Sequence, residues 1–409
     1  MIRFIHTADI HFGMENYGRV DLKTGIHSRL LDFQKAVNYI IDRAIKEDID
    51  FFLFSGDAYK THHPSPTHQK LLLSCFLRLH KANIPLVIVV GNHDNPLSFG
   101  KAHALELFGQ LPLDGFYVIA QPTTLVLQTK SGPVQIVGIP WPTRSLVSIN
   151  NKHLHSNAQE LAEYISITVA AIIEKSAEQL DPALPAVLAG HLTVSTGIFS
   201  GSEKKAIYGS DPILLPSQLA IKPFDYVGLG HLHRYQNLNP LGYPALIYSG
   251  SPERIDFGER KEEKGFCLVT ITEKNKTSHE FITIPTRKFL QIELKLESQE
   301  NQTELLLEAL AKQSMQHAIV KIIYYLPSGI RDRIDLTRVN HACQEAWHVV
   351  GVQCVRQVQP KTQRPALKVE MDLSTLLGMY FDTKPEAKTQ KAELIERALL
   401  LEKEHSEES

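Results

Sequence analysis

Residues 84–94 read IPLVIVVGNHD, an apolar run short enough for a buried strand, stopped by Gly91 and followed at once by Asn92, His93 and Asp94. Those three side chains can hold a metal or move a proton. Four other stretches repeat the grammar. Residues 2–11, IRFIHTADIH, deliver Asp9 and His11; 49–57, IDFFLFSGD, deliver Asp57; 184–191, LPAVLAGH, deliver His191; and 224–233, FDYVGLGHLH, deliver His231 and His233. Runs rich in β-branched and aromatic residues bounded by glycine predict strands. Four of the five stop at Gly56, Gly91, Gly190 or Gly230, and the first carries Ala8 in that place. Glycine there allows a tight turn and a close backbone approach to an ion. In an open α/β sheet, sites form outside the carboxyl ends of strands. The pattern therefore predicts an α/β fold in which residues far apart in sequence converge on one edge.

The predicted donor set is Asp9 and Asp57, the amide oxygen of Asn92, and the imidazoles of His11, His191, His231 and His233. This mixed oxygen and nitrogen set is too rich for one ion and suits a pair. Manganese, iron or zinc accept such donors, and the lack of thiolates argues against a structural zinc. Two ions roughly 3.5–4 Å apart need a bridging anion and can clamp the attacking and leaving oxygens of a phosphoryl transfer. Asp57 is assigned the bridge.

A DxH or GD pair alone is commonplace, and most single histidines among the 19 are surface or packed residues. His6, His68, His80, His103, His153, His155 and His348 are read that way. GNHD after a buried strand is far more specific, and GHxH after a second strand adds to it.

The series DxH, GD, GNHD, GH and GHxH resembles the signature of calcineurin-like metallophosphoesterases. The longer phrases ADIHFGMENYGR (8–19), FSGDAYKTHHPSPTHQ (54–69), VGNHDNP (90–96), GLGHLHRYQ (228–236) and YSGSPERIDFGE (248–259) look like SbcD-type nuclease subunits of a DNA double-strand-break repair nuclease family. The likeness is strong through about Ile284 and afterwards lies mainly in layout. It implies a metallophosphoesterase β-sandwich flanked by helices, with a small α+β capping domain and a C-terminal helical tail. It also implies one metal held by Asp9, His11 and His233, a second by Asn92, His191 and His231, and Asp57 between them. His93 becomes the non-ligand catalytic histidine, placed to stabilise the phosphate or protonate the leaving oxygen. Asp94 is expected to orient it, and a metal-activated water is the implied nucleophile.

Two positions depart from related patterns. Family members often carry a second histidine three residues after the bridging aspartate, where this chain has Lys60; His62 or His63 are candidate substitutes, with an exposed loop the simpler reading. Protein phosphatases of the superfamily carry GDxxDRG, and GDAYKTHH (56–63) does not fit it.

At 409 residues, 43% hydrophobic and 22% charged, the chain exceeds one ordinary domain and can build a substantial core. No uninterrupted apolar span is long enough for a membrane, and residue 1 leads directly into a strand, so a cytoplasmic protein is expected. Cys75, Cys267, Cys343 and Cys354 lack CxxC spacing and are expected to be reduced. A net charge of −2 gives no global basic surplus for nucleic-acid binding. Tight DNA binding would then depend on dimerisation or a partner.

Residues 1–284 form the expected nuclease domain, with a helical stripe of Leu30, Leu31, Phe33, Val37, Ile40, Ile41 and Ala44. The stripe reads as core; by resemblance, helices near residues 28–46 and 68–82 are candidates for a homodimer interface. The insert 196–219 is glycine- and serine-rich and reads as a surface excursion near the site mouth. Residues 285–358 suggest a strand-helix-strand-helix-strand module, which in the family caps the cleft and selects DNA. Residues 359–371, with Lys361, Arg364 and Lys368 near Arg356, read as a tether. The tail, 372–409, offers two amphipathic segments, with Leu373, Leu376, Leu377 and Tyr380 on one and Leu394, Ile395, Ala398, Leu399 and Leu401 on the other. Helices this short need an apolar cover. The resemblance names an SbcC-type ATPase as that cover. The expected activity is a manganese-type two-metal DNA nuclease acting on ends and hairpins, as exonuclease on double strands and endonuclease on single strands. A small-molecule phosphodiesterase and a non-catalytic end-binding scaffold are the rivals.

Overall fold

The computed structural model describes residues 1–96, 101–111, 113–143, 157–201, 211–357, 373–382 and 390–407. In chain order the elements begin β1 (Ile2–Thr7), α1 (Ser28–Lys46), β2 (Phe51–Phe54), α2 (Pro66–Lys81), β3 (Leu86–Val89), α3 (Glu106–Gln110) and β4 (Phe116–Ile119). They continue through β5 (Thr123–Thr129), β6 (Gly132–Ile139), α4 (Ala158–Glu178), β7 (Ala186–His191), β8 (Thr193–Val194), β9 (Ile213–Leu214) and α5 (Pro216–Leu219). Next come β10 (Tyr226–Gly230), β11 (Gln236–Asn237), β12 (Ala245–Tyr248), β13 (Gly265–Glu273), β14 (Lys276–Thr283) and β15 (Phe289–Lys295). The chain closes with α6 (Gln302–Ala311), β16 (Ile319–Pro327), α7 (Leu336–Ala342), β17 (His348–Gln357), α8 (Leu373–Asp382) and α9 (Lys391–Glu407).

Two six-stranded sheets, ordered β14-β13-β1-β2-β3-β4 and β11-β12-β10-β7-β6-β5, pack face to face. Phe4, Phe51, Leu53, Val87 and Val89 of the first meet Ile136, Val187, Ala189, Tyr226 and Ile247 of the second in one buried cluster. β1 through β4 run parallel, as do β6, β7, β10 and β12, so each sheet offers several strand carboxyl ends at the same edge. Continuous apolar runs such as FFLF and LVIV suit strands covered on both faces. The fold is an α/β sandwich of four layers, with α1 and α2 outside the first sheet and α4 outside the second.

Helix starts follow local chemistry. Ser65 accepts from the His68 amide with Pro66 just inside α2, and Asn157 with Glu160 closes a capping box on α4. On α1, Leu30, Phe33, Val37, Ile40, Ile41 and Ala44 are buried with Ala36, while Leu31 is half-buried, so the stripe is core against the first sheet.

From Phe289 onward, β15, β16 and β17 make a separate parallel sheet with α6 and α7 and their own core around Leu306, Leu310, Val320, Ile322 and Val339. Arg287 fastens this unit to α1 by two hydrogen bonds to Asp32, at 2.7 and 2.8 Å, and its guanidinium lies over Trp347. The tether read at 359–371 and part of the 196–219 insert lie outside the described residues, as do His153 and His155. α8 and α9 pack on each other, joined by the Lys391–Asp382 ion pair, and no residue of α8 is buried. All four cysteines are free. Among the described residues no helix is long and apolar enough to cross a membrane.

Candidate metal centre

Side chains from the loops after five parallel strands meet at the common carboxyl edge. Asp9 and His11 follow β1, Asp57 follows β2, Asn92 and His93 follow β3, His191 ends β7, and His231 and His233 follow β10. Three groups able to hold a cation form there: Asp9 with His11 and His233; His11 with Asp57 and His93; and Asp57 with His191 and His231. Asn92 joins them through its amide, with Oδ1 2.9 Å from His191 Nε2 and 3.1 Å from His231 Nδ1. All seven predicted donors are thus brought together.

The backbone is bent to aim them. Asp9, His11, Asp57 and His231 adopt positive φ, 56°, 52°, 58° and 102°, which non-glycine residues take only where the surroundings enforce it. The enforcement is visible. The Asp9 amide donates to the Gly56 carbonyl at 2.9 Å and the His11 amide to the Asp57 carbonyl at 3.0 Å, while the His231 amide donates to the Asp9 carboxylate at 2.9 Å. Gly91 is required by crowding, since a Cβ there would sit 2.2 Å from Asp57 Oδ1. Its lack of a side chain makes room for the Asp57 carboxylate.

Asp9, His191, Asp57, His11 and His233 are buried, Asn92 and His231 half-buried, and His93 exposed at the mouth. Burial pushes the Asp9 carboxyl up to about 7 against the pull of His191 and His233. Burial also favours neutral Asp57, yet the surrounding imidazoles, His191 foremost, hold it well below the carboxylate range. His191 is opposed by burial but raised to about 9 by Asp57 and Asp9. Burial holds His11 well below the ordinary imidazole value and brings His231 to about 3.

Hydrogen-bond direction leaves lone pairs where a divalent cation would fit. A carbonyl can only accept, so His191 Nδ1, 2.7 Å from the Ser55 carbonyl, donates, and neutral His191 presents a lone pair on Nε2 toward Asp57 Oδ2 at 3.4 Å. His233 Nδ1 lies 2.9 Å from Glu259 Oε1, leaving Nε2 to face His11 Nε2 at 3.0 Å. Electron-pair donors converging on one another at these distances are what a metal satisfies.

His93 enters differently. Its amide donates to Asp57 Oδ1 at 2.8 Å, and its Nδ1 donates to the Lys60 carbonyl at 2.8 Å, which leaves Nε2 as the nitrogen able to meet a substrate. The expectation that Asp94 orients this ring is corrected. Buried Asp94 accepts from the amides of Ala58, Tyr59 and Gly91, binding the Asp57 loop to the Asn92 loop, while the main chain of Lys60 holds the imidazole. Burial and the nearby Asp57 charge push Asp94 up to about 7. His62 and His63 lie against each other with their rings tilted by 53° and centroids 4.3 Å apart, and neither enters a cation-holding group. His6 is buried against the Tyr226 hydroxyl, His68 pairs with Glu15, and His80 meets the Asp114 carbonyl, as packed or surface residues do.

Two features escaped the sequence reading. Trp141, just beyond β6, lies over His231 with ring centroids 4.8 Å apart; its position after another apolar run, QIVGIPW, was the available signal. Glu259 and Lys264 form a buried ion pair of 2.7 Å behind His233. Burial opposes ionised Glu259, but Lys264 and His233 bring it down to about 2.

A family model described as calcineurin-like phosphoesterase matches residues 2–235. Among curated proteins, the SbcD component of the nuclease SbcCD from Escherichia coli strain K12 is 24% identical over 290 residues, 69% of this chain and 68% of that protein. Its counterpart from Staphylococcus epidermidis is 25% identical over 295 residues, 71% of this chain and 72% of that protein. A solved dimetal phosphatase from Danio rerio aligns at 11% identity over 69% of this chain and 98% of its own, with a TM-score of 0.40, too loose to bear on chemistry.

Proposed function

Because this chain belongs to the calcineurin-like phosphoesterase family, we propose that it is the nuclease subunit of an SbcCD-like complex, hydrolysing phosphodiester bonds at DNA ends and hairpins. The observation that carries this reading is the meeting of seven oxygen and nitrogen donors with His93 at one edge of the two-sheet sandwich, in a chain whose relatives are named as nuclease subunits. Asp9, His11 and His233 would hold one divalent ion and Asn92, His191 and His231 the other, with Asp57 shared. This mixed carboxylate and imidazole set suits manganese, iron or zinc, and manganese is the ion proposed here. When bound, the two ions supply Lewis acidity toward the phosphate and an activated water.

The chain's own residues do the rest. His93, held through Nδ1 by the Lys60 carbonyl, presents Nε2 to the scissile phosphate, where its protonated form offsets developing charge and can pass a proton to the leaving oxygen. Asp94 holds the Asp57 and Asn92 loops in register. Trp141 covers one side of His231 and limits water there. In this reading residues 1–284 are the nuclease domain, 285–358 cap it and select DNA, 359–371 are a tether, and 372–409 dock on the ATPase. The protein works in the cytoplasm as a homodimer. Cleavage is exonucleolytic on double strands and endonucleolytic on single strands and hairpins.

The test is manganese-dependent degradation of end-labelled linear and hairpin DNA by purified protein beside His93→Ala, with a simple phosphodiester as control. DNA cleavage that needs metal and is lost in the variant supports the nuclease. Ester cleavage with DNA untouched, even with the ATPase added, would replace it with a small-molecule phosphodiesterase.

A further inference from the structure

Neither Glu259 nor Lys264 belongs to the strand-end donors, yet both reach His233 from a later segment. Glu259 Oε1 accepts from His233 Nδ1 at 2.9 Å, and Oε2 accepts from Lys264 Nζ at 2.7 Å and from the Ile255 amide at 3.0 Å. Lys264 Nζ also donates to the main-chain carbonyl of His233 and to Ser251 Oγ, each at 2.9 Å. The imidazole is therefore fixed from both its ring and its backbone by a charge pair sealed from water. Among the described residues, no carboxylate supports His191 or His231 from behind within hydrogen-bond distance in this way. His191 leans on the neutral carbonyl of Ser55, and His231 Nε2 lies 4.0 Å from Asp211 Oδ2, beyond hydrogen-bond distance.

We propose that Glu259, backed by Lys264, is a positioning residue that makes the two cation positions unequal, so that Asp9, His11 and His233 load first and tightly while Asn92, His191 and His231 load second and weakly. The inference rests on the two-metal reading above. A carboxylate behind a ligating imidazole fixes its tautomer and raises its basicity, and losing such a partner costs about 10–100-fold in metal affinity. Charge points the same way. The first position has Asp9 as its own carboxylate and Glu259 behind it, whereas the second has the neutral amide of Asn92 and shares only Asp57.

The experiment is titration of Mn2+ into metal-stripped protein, followed by calorimetry and by electron paramagnetic resonance, with thermal unfolding of the metal-free protein as the fold control. The native chain should bind in two steps of different affinity, and Asn92→Ala should keep the tight one. Replacing the pair together, Glu259→Gln with Lys264→Met, should weaken the tight step about 10–100-fold and leave the weak step unchanged. Glu259→Asp, which keeps the charge but shortens the reach to His233, should weaken the same step and decides the matter if the double variant does not fold. Two equal steps in the native chain, loss of the tight step in Asn92→Ala, or folded Glu259 variants with unaltered tight binding would overturn the inference while leaving a two-metal enzyme. Binding of no divalent ion at all would instead overturn the two-metal reading itself.

Discussion

The strand-end edge and the C-terminal helices place their side chains by contrasting means. At the edge, Asp9, Asp57 and His191 are sealed in, and each is held by main-chain groups from another loop: the His231 amide, the His93 amide and the Ser55 carbonyl. Four positive-φ residues store strain that the two packed sheets absorb. In α8 nothing is buried, and on α9 Leu400 and Leu401 are 55% and 62% exposed. One region is built before any ligand arrives. The other carries exposed apolar side chains at a length that gains little from helix propensity alone, and under the function proposed above the ATPase would cover them.

The contrast is broken most severely by changes at the edge. His93→Ala removes an exposed side chain and should leave the fold and metal stoichiometry intact while lowering DNA cleavage about 10²–10⁴-fold, measured as kcat at saturating Mn2+. A variant that binds metal normally and keeps native kcat would show that the ring takes no part in the chemistry. Next in size is Gly91→Ala. Its Cβ would stand 2.2 Å from Asp57 Oδ1 and 2.4 Å from the Asp57 amide nitrogen, so the Asp57 loop must move. Overpacking of this kind costs about 1–3 kcal/mol. A lowered denaturant midpoint together with weaker Mn2+ binding is the expected pair of results; native values for both would mean that the loop yields freely and the edge is less rigid than its hydrogen bonds indicate.

Most of this edge was legible in the sequence because a strand, a stop and a ligand recur five times, and the parallel order of the sheets then brings distant residues together. The α1 stripe was equally readable from its 3.6-residue period. What stayed hidden were contacts that no period announces. Asp94 follows His93 directly, yet its carboxylate turns toward the amides of Ala58 and Tyr59, because a buried acid takes whichever donors the fold presents. Lys60, noted for its side chain, acts through its carbonyl, which every residue has and no motif records. Glu259 closes the stretch YSGSPERIDFGE, but its pairing with His233 depends on how the segment after β12 folds back.

Removing residues 370–409 should cause the smallest change in the protein itself and so sharpens the comparison from the other side. The segment contains α8, which has no buried residue, and α9, which touches it, so the removed helices contact each other while leaving Leu400 and Leu401 of α9 exposed. The unfolding midpoint of the remaining body should therefore shift by less than about 0.5 kcal/mol equivalent, as surface changes do. The candidate metal donors all lie before residue 234, so hydrolysis of a simple phosphodiester should match the full chain. Co-purification with an SbcC-type ATPase, and the ATP-dependent degradation of DNA ends that follows from it, should be lost. If the shortened chain still co-purified fully with the ATPase, the exposed leucines of the tail would need another cover. A large fall in the midpoint would identify that cover as the chain's own body, and the contrast between a prebuilt edge and an unfinished tail would fail.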